Sequence, residues 1–382
     1  MFRTGCSQIV IAVPARDEAE WIARCLTALA QQQETADYRI VVLVNNSIDA
    51  TSLIVRELQS GIMAPIEIVE HQFPLEHQTA GQARRLAMEH AAARALPGGT
   101  LLCTDADGQV APDWLAANLF HIRNGADAVA GRAIIDATDA AAIPALLHEN
   151  DARECAYAAL LDEIDSLADP DAADPWPRHT EHSGASIAVT LDAFRKAGGI
   201  PPYAVGEDRA FFAALRRIDA RIRHAEDVQV TVSGRIHGCA HGGMADTIRR
   251  RLIAPDLFLD DALEPAANRA RRARLRCRVR QLFASRGQAK AQLAVELGCT
   301  PASLSQALAQ DTFGRAWELI EKDATRLAKI VVPVSALHRE TVRAEQIIAK
   351  LRRREAEGMT LRLDPVFVGS VKSPSGTSHM AG

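Results

Sequence analysis

Thr100-Leu101-Leu102-Cys103-Thr104-Asp105-Ala106-Asp107-Gly108 is the stretch that decides the fold. An apolar run bounded by threonines reads as a buried strand, and it empties into two carboxylates and a glycine. Pro112-Asp113-Trp114-Leu115 then opens a helix, so the two acids stand in the strand, crevice and helix setting where open α/β sheets bind ligands. Side chains of an extended strand repeat every second residue, which predicts Asp105 and Asp107 on one side and Ala106 on the other. Two strand rises, roughly 7 Å, would separate their Cα atoms, too far for two short bonds to one ion without a bend. Unequal roles follow as an expectation: Asp107 on a metal that bridges to a diphosphate, Asp105 on a ribose or a metal-bound water.

Upstream, residues 8–14 form a continuous apolar run of the kind buried on both faces of a parallel sheet. Ile22, Cys25, Leu26 and Leu29 recur at i, i+3, i+4 and i+7, which gives the next helix one apolar stripe. Strands are expected at 39–44, 66–69 and 126–131, and helices at 51–58, 80–95 and 114–122. Strands alternating with helices in this way predict a mostly parallel, doubly wound α/β sheet. Beyond it, 146–167 reads as an acidic helix, 168–182 as a Pro- and Asp-rich loop, and 185–189 as a strand. Helices follow near 191–197 and 208–218, then a strand pair at Ile222 and 228–232. From 244 to about 357 the pattern is helical, and the Ser/Gly/Pro-rich end predicts disorder.

The 382 residues, 48% hydrophobic and 24% charged, suffice for a large core in two units. No apolar run approaches the ~20 residues that span a bilayer, and residues 1–7 hold no signal-like hydrophobic segment, so a cytoplasmic location is expected. Seven scattered cysteines without a Cys-x-x-Cys pair argue against a disulfide framework and a zinc site. A formal net charge of -4 gives no overall pull toward nucleic acid.

A dinucleotide fold needs a Gly-rich turn after the first strand, and none is present. Instead Pro14-Ala15-Arg16-Asp17-Glu18 ends that strand, with carboxylates that can accept from a base edge or simply favour the start of a helix. This segment resembles the Pro-x-x-Asn-Glu element of the family-2 glycosyltransferases of the GT-A fold, with Asp17 in place of Asn. Asn45-Asn46-Ser47-Ile48-Asp49-Ala50-Thr51 is similar to that family's acidic turn, shortened by one residue. Gly81-Gln82-Ala83-Arg84 resembles its Gly and Arg stretch, Asp105-Ala106-Asp107 its Asp-x-Asp, Gly184-Ala185-Ser186 with Gly198-Gly199-Ile200 its acceptor-side segment, and Gly206-Glu207-Asp208 its Glu-Asp pair.

The resemblance implies a GT-A sheet over 1–245, with the nucleotide sugar bound about 8–135 and the acceptor about 136–245. A helical domain over 246–357 and a disordered tail over 358–382 complete the expected organisation. The implied donor is a nucleoside-diphosphate sugar held by Pro14, Asp17, Glu18, Asn45, Asn46, Gly81, Arg84, Asp105 and Ala106. Its diphosphate would join Mn²⁺ or Mg²⁺ on Asp107, with Asp105 and His237 completing the shell. Asp208 would be the general base that inverts the anomeric carbon, and Glu207 would orient a sugar. Asn45 stands where the family often has an Asp for uracil, so the base stays open, as do sugar and acceptor. Arg84 could pair with the diphosphate or belong to a solvated face. His179 and His182 could line the acceptor side or sit on a surface loop.

A rival class comes from the C-terminal third. Residues 288–308 resemble a helix-turn-helix in which Thr300 caps the second helix, and seven arginines lie between Arg269 and Arg280. Together they suggest a nucleic-acid-binding or regulatory protein with a sugar-nucleotide-sensing domain, or a peripheral contact with anionic lipid. The helical part could also shape the acceptor site or a homo-oligomer contact. The acidic balance of the chain favours the enzyme.

Overall fold

The computed structural model describes residues 7–34, 36–61, 64–235 and 243–357. The sheet-forming part runs β1 (Ser7–Ala15), α1 (Ile22–Ala30), β2 (Tyr38–Asn45), α2 (Thr51–Gly61), β3 (Ile66–His71), α3 (Ala80–Arg94), β4 (Ala95–Cys103), β5 (Gln109–Val110), α4 (Trp114–Arg123) and β6 (Ala128–Ile135). After α5 (Ala137–Ala142) and the long α6 (Ala145–Ala168) come β7 (Ile187–Thr190), α7 (Leu191–Ala197), α8 (Glu207–Arg217) and β8 (Ile222–Val232). Eight strands form one sheet in the order β3-β2-β1-β4-β7-β6-β8-β5.

Period-two burial explains the layers. Ile9, Ile11 and Val13 of β1 face one way with α1 and α4, while Val10 and Ala12 face the other with α3, α7 and α8. Both faces are covered, as a buried parallel sheet requires. Among the described strands, β7 and β5 alone run against the other six. The fold is therefore mixed α/β with a mainly parallel sheet, as expected, but β7 departs from the parallel pattern. Cys103, the last residue of β4, pairs with Ile187, the first of β7. The chain thus re-enters the sheet from the carboxyl edge, because the excursion through α6 ends there. That reversal carries residues 183–185 onto the crevice.

Two further expectations change. The strand pair near 222 and 228–232 is one strand, β8, whose register against β6 shifts between Ala130 and Arg132. The polar Glu226-Asp227 step is accommodated at this irregularity. Asp105 and Asp107 do not lie on an extended strand either. β4 stops at Cys103, and the Gly108 N–H donates to the Asp105 carbonyl at 2.9 Å, closing a turn. Strand alternation therefore does not decide which way the two acids face.

The rest is helical: α9 (Met244–Ile253), α10 (Ala266–Ala284), α11 (Ala291–Leu297), α12 (Pro301–Leu308), α13 (Phe313–Asp323) and α14 (Leu337–Ala356). Tyr157, Leu161 and Ile164 of α6 share one core with α10 and α14, so α6 anchors this layer. Thr300 caps α12 through the Ser303 N–H at 3.0 Å, as expected, and Gly298 takes φ +76 to join α11 to α12. However, α12 carries no Lys or Arg. Five of the seven α10 arginines are ion-paired within the chain: Arg269 with Asp165, Arg272 with Glu264, Arg276 and Arg280 with Asp169, and Arg278 with Glu296. Guanidinium groups neutralised in this way offer little to phosphates, which weighs against the nucleic-acid alternative. No helix among the described residues is long and apolar enough to cross a membrane.

The 169–186 connection is fastened to β8 by histidines. His179 accepts the Glu181 N–H at Nδ1 (3.1 Å) and faces the Ala225 carbonyl with Nε2 (3.3 Å), a neutral tautomer with both nitrogens engaged. Burial, with His224 adding, pushes its pKa down to about 4. A His depressed in the folded state binds fewer protons than the unfolded chain between about 4 and its ordinary 6.5, so its contribution to stability rises with pH across that window and is lost on acidification. Asp162, pushed up to about 7 by burial, works in the opposite sense. The difference between wild type and His179→Gln in denaturant titrations should therefore isolate the histidine. It should shrink as pH falls from 6.5 toward 4, and a pH-independent difference would contradict this assignment.

Candidate active site

The carboxyl ends of β1, β2 and β4 and the loops after them enclose a cleft of about 620 Å³. Arg84 organises it. Thr79 caps α3 by accepting the Gln82 N–H, which sets Arg84 on the helix's first turns. Its guanidinium is buried, and Nη1 donates to Glu207 Oε1 while Nη2 donates to Asp105 Oδ1 at 2.5 Å. Space for it comes from glycine. A Cβ at Gly184 would lie 2.2 Å from the guanidinium, and one at Gly81 would lie 2.0 Å from the Tyr203 carbonyl oxygen. Both Nη groups of Arg84 are thus committed to protein acids, not turned to a solvated face.

A second charge group stands beside it. Glu18 is buried and accepts from both Nη groups of Arg235, at 2.8 and 2.5 Å, while its N–H donates to Thr51 Oγ1 at 2.8 Å. The same guanidinium lies 3.3 Å from Asp107 Oδ2. Burial pushes the Asp107 carboxyl up to about 7, with the Asp105 charge adding and Arg235 opposing. Asp105 is held by a buried arginine, whereas among the described residues Asp107 has the longer contact to Arg235.

Pro14, Glu18, Asn45, Arg84, Asp105, Ala106, Asp107, Glu207 and Asp208 all line the cleft. Asn45 is 2% exposed at the end of β2, and its Oδ1 has no hydrogen-bond donor among the described residues. Asp208 follows Glu207 in the first turn of α8, and its Oδ2 accepts the Gly184 N–H at 3.0 Å. Three expected residues serve the walls instead. Asp17 (φ +52) accepts the Ile48 N–H, Asn46 (φ +48) bonds both polar backbone atoms of Phe73, and Gly81 backs onto Tyr203. Left-handed backbone is tolerated by Asx side chains that bond locally, and here it ties the loops after β1, β2 and β3 together. His237 lies outside the described residues. Among those described, no group of three or more His, Cys, Asp or Glu can hold a metal by itself.

Arg235 was missed by sequence reasoning, although it stands in the Ser233–Gly243 stretch that the histidines brought to notice. A lone cation between a strand end and a glycine-rich segment was the signal. Arg16, which reaches Gln78 at 3.1 Å on the cleft wall, was also passed over.

Residues 10–151, from β1 into α6, match the family model of glycosyl transferase family 2. This segment of the chain is similar to the glycosyl transferases of family 2. A comparison with curated proteins gives no match. Among solved structures it is similar to the mannosyltransferase PcManGT from Pyrobaculum calidifontis in complex with GDP-Man and Mn²⁺, at 17% identity, covering 94% of this chain and 77% of that one with a TM-score of 0.44. It is also similar to S. aureus TarS 1-349 in complex with UDP-GlcNAc, at 15% identity over 94% of each chain, TM-score 0.45. Glucosyl-3-phosphoglycerate synthase from Mycobacterium tuberculosis, with Mn²⁺, UDP-Glc and phosphoglyceric acid, matches at 16% identity over 65% of this chain and 79% of that one, TM-score 0.37. Superpositions this loose fix no residue-by-residue correspondence.

Removing one partner from a buried, charged pair leaves the other desolvated and alone, a loss of about 3–5 kcal/mol. Arg84→Ala strands the buried Glu207 and frees Asp105, so urea titration should show a loss of that order. Arg84→Lys, whose single ammonium cannot fork to two carboxylates, should recover only part of it. Full recovery by lysine would show that charge alone, and not the fork, is what the site requires.

Proposed function

We propose that this chain is a metal-dependent, inverting glycosyltransferase that moves a sugar from a nucleoside-diphosphate sugar to an acceptor hydroxyl. The charge balance of the cleft carries the reading. Among the described residues, six carboxylates, of Glu18, Asp105, Asp107, Glu181, Glu207 and Asp208, face four guanidinium groups, of Arg16, Arg84, Arg209 and Arg235. The formal excess is two negative charges, the complement of one divalent cation. Hard cations take oxygen ligands and join one or two protein carboxylates to substrate phosphates, so a site without a complete protein cage suits them. Asp107, desolvated and crowded by like charge, has the most to gain, since Arg84 already holds Asp105. Mn²⁺ or Mg²⁺ bound there would neutralise the charge that develops on the leaving diphosphate.

The protein's own groups do the rest. The unpartnered Asn45 Oδ1 suits an N–H or O–H donor from base or ribose at the end of β2. Arg235, aligned by Glu18, presents a fixed guanidinium to the same space. Asp208 takes the proton from the acceptor hydroxyl as that oxygen attacks the anomeric carbon from the face opposite the diphosphate, and one displacement inverts it. Glu207, locked to Arg84, fixes the start of α8 on which Asp208 stands.

A thermal-shift panel of UDP-, GDP- and dTDP-sugars with and without Mn²⁺ tests this reading. A donor at 100 times its dissociation constant stabilises by ~2.7 kcal/mol. The Mn²⁺-dependent part of the shift should vanish in Asp107→Asn. Asp208→Asn should keep the shift while donor turnover falls by about 10²–10⁴. No shift from any donor with the folded wild type would overturn the proposal.

A further inference from the structure

The connection from α6 to β7 is held to the start of β8 by polar side chains far more buried than a surface connection requires. Asp174 is buried there, and its carboxylate accepts four bonds: the His224 N–H (2.9 Å), His224 Nδ1 (2.7 Å), Arg223 Nη1 (3.1 Å) and Arg178 Nη1 (3.1 Å). With its Nδ1 proton given to Asp174, His224 meets His182 through Nε2, at 3.1 Å from His182 Nε2. The two ring nitrogens face each other across this contact. Arg216 Nη2 lies 2.9 Å from the same His182 nitrogen, and because a guanidinium only donates, His182 Nε2 is the acceptor there. The His182 ring rests on Phe212 with centroids 4.6 Å apart. Two residues further on, the Gly184 N–H donates to Asp208 Oδ2 at 3.0 Å. A Cβ at Gly184 would strike Arg84, so this segment has no slack toward the donor side. His182 lines the cleft, whereas Asp174 and His224 stand behind it.

We propose that Asp174, His224 and His182 form a positioning strut that holds residues 182–184, and through the Gly184 N–H the carboxylate of Asp208, in the place where it deprotonates the acceptor. The inference rests on the reading of Asp208 as the base. Apolar packing resists separation but has little preference for direction, while a chain of hydrogen bonds fixes both distance and orientation. A base displaced by about 1 Å can lose 10²-fold in rate, which is why a device outside the cleft matters to the chemistry. Asp174 and His224 act through the loop and touch neither donor nor acceptor.

The test uses the full chain and Asp174→Asn, which keeps the size but cannot accept bonds at both former oxygens. Amide hydrogen exchange should rise at least about tenfold in peptides covering 182–186 and stay at wild-type rates in β1, β2 and β4. With Mn²⁺ and UDP-glucose or GDP-mannose, whichever binds, slow hydrolysis to the nucleotide should fall about tenfold or more while the donor's thermal shift stays unchanged. In an Asp208→Asn background the same substitution should change hydrolysis no further, as expected of residues acting as one unit. His182→Asn cuts the strut at its cleft end and serves if Asp174→Asn does not fold. Unchanged exchange at 182–186, exchange that spreads through the sheet, or losses that multiply in the double variant would each overturn the strut. Absence of any donor shift in the wild type would instead overturn the reading of the cleft, with the exchange result still deciding whether the strut exists.

Discussion

A guanidinium buried between two carboxylates is the constraint on which the rest of this cleft depends. Arg84 bridges Asp105, which follows β4, and Glu207, which opens α8. Removing three charges from water is costly, and their mutual attraction repays it only in good geometry. The surroundings are therefore shaped to it. Gly184 and Gly81 lack side chains where the guanidinium and α3 press against other backbone, and Asp105 bends out of the strand in a tight turn. Four short segments, far apart in sequence, converge on one side chain.

That convergence sorts the acids by partner. Glu207 and Asp105 are satisfied by Arg84, and Glu18 by Arg235. Among the described residues Asp107 has a 3.3 Å contact with Arg235, and Asp208 accepts backbone N–H groups alone, of Gly184 at 3.0 Å and of Arg209 at 2.7 Å. Groups fully paired inside the protein build the wall, and groups left with spare valence face the cleft. One acid stands on the β4 turn and the other on α8, the two sides that a donor and an acceptor would occupy.

The helical layer obeys the same logic with a different outcome. Five of the seven α10 arginines, dense enough in sequence to suggest an anionic partner, find their carboxylates at Asp165, Asp169, Glu264 and Glu296. Charge density along a chain does not give surface potential, because partners arrive from other elements. The acidic α6 and the basic α10 answer each other across one core.

Periodicity and punctuation were enough to place most elements. The Ile22, Cys25, Leu26 and Leu29 stripe, the apolar runs of β1 and β2, and the strand entering Asp105 are local patterns that hold whatever the chain does elsewhere. Gly81 with Arg84, Asp105 to Asp107, and Glu207 with Asp208 were also legible, as residue types in order. What each residue does was not. The direction of β7, the turn that takes Asp105 off its strand, the capture of Arg84 by Glu207, and the Glu18–Arg235 pair all depend on segments up to 217 residues apart meeting in space. Local sequence fixes backbone preference within a few residues, and long-range burial of charge decides which side chains are spent on the structure and which are left for chemistry.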